Sequence, residues 1–124
     1  MHKTPRRVAS WKICACSFVE DVAAARCFYA DLLALPPVSL EPTVLVFDAG
    51  PLLIVEQADA EARAEGLVGR FAGVSFGVSD IEALHARLKT SGCTIVGPPE
   101  RQSWGGTLMH VKDPDGNIVS FVQN

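Results

Sequence analysis

The hexad Val19-Glu20-Asp21-Val22-Ala23-Ala24 recurs 59 residues further on as Val78-Ser79-Asp80-Ile81-Glu82-Ala83, and each copy joins a strand-like run to an amphipathic helix. A repeat of this kind reads as one module used twice. Neither half is long enough to bury much surface alone, so the two must share a core. The second copy ends in the turn Asp113-Pro114-Asp115-Gly116-Asn117, and the first in the comparable Asp48-Ala49-Gly50-Pro51. Duplication sets equivalent strands face to face, and the cleft between them is where a ligand would sit.

Along the first copy, Ile13 to Val19 suits a strand, and Asp21 stands where an N-cap accepts a backbone hydrogen bond. The spacing of Val22, Ala25, Phe28, Tyr29, Leu32 and Leu33 predicts one helix, stopped by Pro36-Pro37. Val44 to Asp48 and Leu52 to Glu56 read as strands about an Ala-Gly-Pro turn, with a weaker strand over Val38 to Leu40. Residues 57–70 form a connector, mobile or partly helical, whose alanines and acids carry too little apolar bulk to pack deeply.

The second copy repeats the order. Gly73 to Val78 is a strand and Asp80 a cap. Ile81, Leu84 and Leu88 form a buried stripe ending at Gly92. Strands then follow at Cys93 to Val96, Thr107 to Val111 and Ile118 to Val122. The expected fold is α+β: a tail at 1–11, a βαβββ module at 12–56, the linker at 57–70 and a second βαβββ module at 71–124, all in one structural domain.

Composition excludes several classes. A formal charge of −3 with no basic stripe argues against a nucleic-acid surface. Met1 to Arg7 is basic but has no long apolar run behind it, so it reads as a frayed tail rather than a signal peptide or membrane anchor. Cys14, Cys16, Cys27 and Cys93 lack CxxC spacing, which disfavours a zinc knuckle and leaves reduced, buried thiols in a cytoplasmic protein as the expectation.

Val19-Glu20-Asp21, Phe28-Tyr29 and Leu32-Leu33-Ala34-Leu35 in the first copy, with Trp104-Gly105-Gly106 and Asp113-Pro114-Asp115-Gly116-Asn117-Ile118-Val119 in the second, resemble the vicinal oxygen chelate superfamily. That group includes glyoxalase I, extradiol dioxygenases, fosfomycin-resistance enzymes and bleomycin-resistance proteins. The resemblance covers about Lys12 to Gln123 and implies a curved, cup-like mixed sheet, commonly completed or shared in a homodimer. A lone Asp-Pro-Asp-Gly could be any tight hairpin. Joined to the duplicated strand-cap-helix pattern it becomes specific to the fold, while function stays open because the scaffold hosts unrelated activities.

Catalytic relatives hold a divalent metal with His, Gln or Glu from the first and last strand of each module, donors that approach the ion to about 2 Å. Carried over residue by residue, those positions hold Cys14 and Gly73, seven residues before Asp21 and Asp80. The closing positions hold Ile54 and Ser120, four residues after Gly50 and Gly116. Glycine and isoleucine offer no donor, so no metal and no cofactor is expected. A register slip of two would instead bring Glu56 inward and could gather Cys14, Glu56 and His110. The bland alternative has Glu56 in water, Cys14 as filler and His110 as a cross-strand neighbour.

His110 is the one histidine on an expected cleft strand, either a general base and ligand donor or a structural residue. Trp104, in its glycine-flanked loop, either stacks on a planar ligand or closes the core. Trp11 reads as a packing anchor, and His2 and His85 as solvated. Cys14, Cys16, Phe18, Ile54, Glu56, Trp104, His110 and Ser120 are the candidate ligand-binding residues, in a largely apolar cup. The first functional reading is a homodimer that binds a small apolar organic molecule. The alternative is an enzyme, either of glyoxalase or dioxygenase type with displaced ligands or a metal-independent isomerase or epimerase using His110 and Glu56.

Overall fold

Strand β1 (Cys14–Val19) turns alternate side chains to opposite faces, burying Ser17 and Val19 while Cys14 and Cys16 stay exposed. The computed structural model describes residues 13–124; the expected tail, His2 and Trp11 lie outside them. Asp21 caps the following helix as its repeat position requires, its Oδ1 accepting from Ala24 N at 3.0 Å.

That helix is not uniform. Val22–Arg26 is α-helical (α1), whereas Cys27–Leu32 is π-helical, with Leu33 N donating to Phe28 O five residues back at 2.9 Å. The expected single helix therefore carries a widened turn, the kind of local insertion that re-aims side chains within a helix. Here it leaves the consecutive Phe28 and Tyr29 both buried.

Three strands complete the first module: β2 (Pro37–Leu40), β3 (Val44–Asp48) and β4 (Leu52–Gln57). β4 pairs in parallel with β1 and antiparallel with β3, giving the sheet order β1-β4-β3-β2. In the connector, α2 (Ala60–Ala64) is capped by Asp59, and Ala58 and Ala62 are buried. The expectation of shallow packing fails here. Bare methyl groups let the backbone approach closely enough for Ala58 N to reach Val19 O at 2.8 Å.

The second sheet has the order β5-β9-β8-β6, from β5 (Phe71–Gly77), β9 (Ile118–Gln123), β8 (Thr107–Lys112) and β6 (Thr94–Ile95). A short β7 (Glu100–Arg101), not anticipated from sequence, also pairs with β8. Helix α3 (Ile81–Ser91) starts at the Asp80 cap and stops at Gly92, whose φ of 78° is left-handed. A side chain there would be strained. One apolar cluster then draws on both modules, with Val19, Phe28, Phe47 and Val55 packed in common with Ile81, Leu88, Met109 and Phe121.

A polar network fixes the halves to one another. In the Asp113–Asn117 turn, Asp113 Oδ1 accepts from the backbone N–H groups of Asp115 and Asn117, and its Oδ2 accepts from Asn117 Nδ2 and from the Tyr29 hydroxyl at 2.8 Å. Asn117 Nδ2 also donates to Phe18 O at 2.8 Å, while its Oδ1 accepts from Gly69 N. Asp115 Oδ2 receives the N–H groups of Glu20 and Asp21. The motif that marks the fold in sequence thus clamps the strand-helix corner of the other module.

Burial, together with the Asp113 carboxylate beside it, holds the Tyr29 phenol far above its ordinary range, so it stays a donor. Burial raises Asp113 as well, against the four hydrogen bonds that favour its charged form.

Candidate functional site

Backbone register decides which candidate residues share a face. Cys14 pairs with Leu52, Cys16 with Ile54 and Phe18 with Glu56, while Val44 and Val46 pair with Glu56 and Ile54 from the other side. All therefore stand on one face of the first sheet, and Leu45, Phe47, Leu53 and Val55 on the other line the core. On the second sheet Ser120 pairs with Ser75 and His110, and Val122 with Gly77 and Leu108. These likewise face away from the core.

Of the eight candidates, the structure joins one pair by a hydrogen bond: His110 Nδ1 lies 2.6 Å from Ser120 Oγ. Ser120 is buried and His110 half-buried, with the imidazole edge-to-face against Phe71 at 5.9 Å between centroids. The hydroxyl can donate to the ring or accept from it, so the pair can adjust its polarity to a ligand. Cys14, Cys16, Phe18, Ile54 and Glu56 share the first sheet but make no polar cluster.

Cys14, Glu56 and His110 do not converge. Cys14 and Glu56 lie on neighbouring strands of the first sheet, but Glu56 is four residues beyond Leu52, the partner of Cys14, and therefore about 13 Å along the strand. His110 belongs to the second sheet. Among the described residues no group of three or more His, Cys, Asp or Glu side chains could hold a metal ion. Three of the four positions that the resemblance assigns to a divalent metal do not fit one either. Gly73 sits in an irregular stretch of β5 at φ 71°, Ile54 is apolar, and the Ser120 hydroxyl is engaged by His110.

One expectation needs correction, and one of two alternatives falls away. Cys14, Cys16 and Cys27 are exposed and only Cys93 is half-buried, because β1 presents its even-numbered residues to the open face and Cys27 lies on the outer side of its helix. Trp104 does not close the core. It is 60% exposed at the β7–β8 hairpin, its ring folded over Gly106, where a Cβ would collide with it. At the module junction a cavity of about 190 Å³ lies between the edges of β1 and β5, walled by Ile13, Ala15, Leu53, Val74 and Phe76, none of them among the eight candidates. Only the pairing of the halves creates it, so no local motif announces it.

Paired βαβββ modules joined through an Asp-Pro-Asp-Gly-Asn turn define the vicinal oxygen chelate class of fold. The model of the Glyoxalase/Bleomycin resistance protein/Dioxygenase superfamily matches residues 13–121, and the chain belongs to that superfamily. A member of the superfamily from Sphaerobacter thermophilus DSM 20745 is similar in structure, with a TM-score of 0.75 and 25% identity over 95% of this chain and 100% of that one. Lactoylglutathione lyase from Agrobacterium tumefaciens (TM-score 0.72, 21% identity, 94% and 95% covered) and TioX from Micromonospora sp. ML1 (0.72, 17%, 92% and 98%) share the fold. A bleomycin resistance protein from Klebsiella pneumoniae is 43% identical over 35 residues, which span 28% of each chain. No helix among the described residues is long and apolar enough to cross a membrane.

Proposed function

We propose that this protein is a homodimer that binds a small, largely apolar organic molecule on the open faces of its sheets, without the divalent metal of its catalytic relatives. The observation that carries this reading is the composition of those faces. Phe18, Val44, Val46, Ile54, Leu108 and Val122 are only half-covered in one chain, and Phe71 is 58% exposed beside the His110–Ser120 pair. Apolar side chains set around one hydrogen-bonding handle suit capture of an organic ligand, with the handle fixing its orientation. A second copy set against the edges of the sheets would complete the cup while leaving these faces reachable. The short kinship with a bleomycin resistance protein supports a binding role, and unpaired cysteines accord with a cytoplasmic setting.

The test is displacement of a hydrophobic fluorescent dye by a panel of planar aromatic compounds, read beside the sedimentation mass. Saturable displacement by a dimer, weakened by Ile54→Glu on the open face, supports the proposal. Displacement that Ile54→Glu leaves unchanged, a monomeric mass, or a stoichiometric divalent metal retained through purification would each overturn it.

A further inference from the structure

Cys14 and Cys16 stand two residues apart on β1, both exposed, on the face shared with Leu52 and Ile54. Neither thiol takes part in a hydrogen bond among the described residues. We propose that the two thiols form a chelating site for a soft, thiophilic d10 cation of the Cu(I) type. The inference deepens the binding reading of this face and rests on it only in requiring that the face stay reachable in the assembled protein.

Strand geometry selects this ligand over a disulfide. Residues i and i+2 of a strand lie about 6.7 Å apart with parallel Cβ directions, whereas a disulfide needs Cβ atoms within about 3.5–4.5 Å. The pair cannot close on itself without bending β1, whose ladder to β4 is regular over all six residues. A two-coordinate ion needs much less convergence. With metal–thiolate bonds of about 2.3 Å, a linear arrangement separates the sulfurs by about 4.6 Å, a gap that two side chains leaning toward one another can span.

The surroundings select for softness. Leu52 and Ile54 lie opposite the two cysteines, so no carboxylate or imidazole adjoins them on the neighbouring strand. Hard cations such as Mg2+ or Ca2+ require several oxygen ligands, and zinc would lack two of its usual four donors. Thiolate pairs favour Cu(I). On binding, each thiol gives its proton to solvent and each sulfur donates one electron pair to the ion, with no change of oxidation state.

Cys27 and Cys93 supply the internal control. They lie on the π-helical segment and beside β6, away from this face. The experiment titrates fully reduced protein with Cu(I) held by a chromophoric competing chelator. One ion per chain is expected, and the Cys27→Ser/Cys93→Ser double variant, which keeps only the pair, should bind as tightly. Cys14→Ser and Cys16→Ser should each weaken binding by about 10²-fold or more, because losing one arm removes the effective-concentration advantage of the second. Equal affinity in wild type and either single variant, or loss of binding in the double variant, would overturn the proposal. Dye displacement by organic compounds is scored separately on the same samples, so failure of the thiol site and failure of the organic-ligand reading are distinguishable.

Discussion

Replacing Tyr29 by Phe removes one oxygen from the middle of the polar network that joins the two modules. The hydroxyl donates to Asp113 Oδ2 at 2.8 Å, Tyr29 is 0% exposed, and no water can substitute without opening the core. A hydrogen bond to a charged group contributes about 1.5–3 kcal/mol. At about 2.1 cal/mol/K per residue, a chain of 124 residues unfolds with an entropy near 0.26 kcal/mol/K. The expected fall in Tm is therefore about 6–12 °C. Acid provides an internal check. The tyrosine bond favours the ionised carboxylate, so the penalty should be largest near pH 7 and shrink as Asp113 takes up a proton. Calorimetry and urea unfolding of both proteins from pH 4 to 7 measure this. A penalty below about 0.5 kcal/mol, well under the range for such a bond, or one that grows in acid, would refute the clamp as described.

Asp113→Asn tests the other partner. Burial raises the carboxyl above 3.8, so its titration contributes stability that is complete below that value and is lost as pH rises through the folded pKa. The asparagine variant should therefore gain on wild type in urea unfolding between pH 4 and 7, and a trend in favour of wild type would count against this. Asn117→Asp puts a carboxylate oxygen where Nδ2 now serves both Phe18 O and Asp113 Oδ2. With like charges buried together it should cost about 3–5 kcal/mol, measurable as a collapse of the urea midpoint. Gly106→Ala should drive the Trp104 ring off its seat, shifting indole emission in a Trp11→Phe background while the urea midpoint moves little. Ser120→Ala should cost about 1–3 kcal/mol by leaving His110 Nδ1 without its buried partner, and His110→Ala should weaken dye binding without a comparable loss of Tm.

The fold was legible wherever a local rule governed it. Asp21 and Asp80 cap their helices as their shared place in the repeat demands, each accepting from the residue three positions on. Apolar runs bounded by turn residues marked β3, β4 and β8 as strands. What escaped was non-local. Tyr29 lies 84 residues from Asp113 and Asn117 lies 99 from Phe18, so the Asp-Pro-Asp-Gly-Asn string announced a turn but not the partner that its side chains reach. The exposure of Cys14 and Cys16 was hidden for a related reason. Hydrophobic alternation fixes which residues of a strand share a face, yet which face meets the core depends on the helix above it, and a thiol suits either. At the candidate site, Ser120 and His110 were both named from sequence, but their hydrogen bond depends on the β8–β9 register.

The π-helical stretch has a consequence for how this chain tolerates changes in length. An α-helix advances about 100° per residue, and the widened turn at Cys27–Leu32 holds about one residue more than an α-helical turn would. Deleting a single residue there would let the segment relax to ordinary winding and swing the phenol away from its carboxylate partner. The seam between the halves could thus be loosened by an indel that alters none of its bonding side chains, whereas the same deletion in α3, whose capped α-helix makes no such cross-module bond, would leave that seam closed.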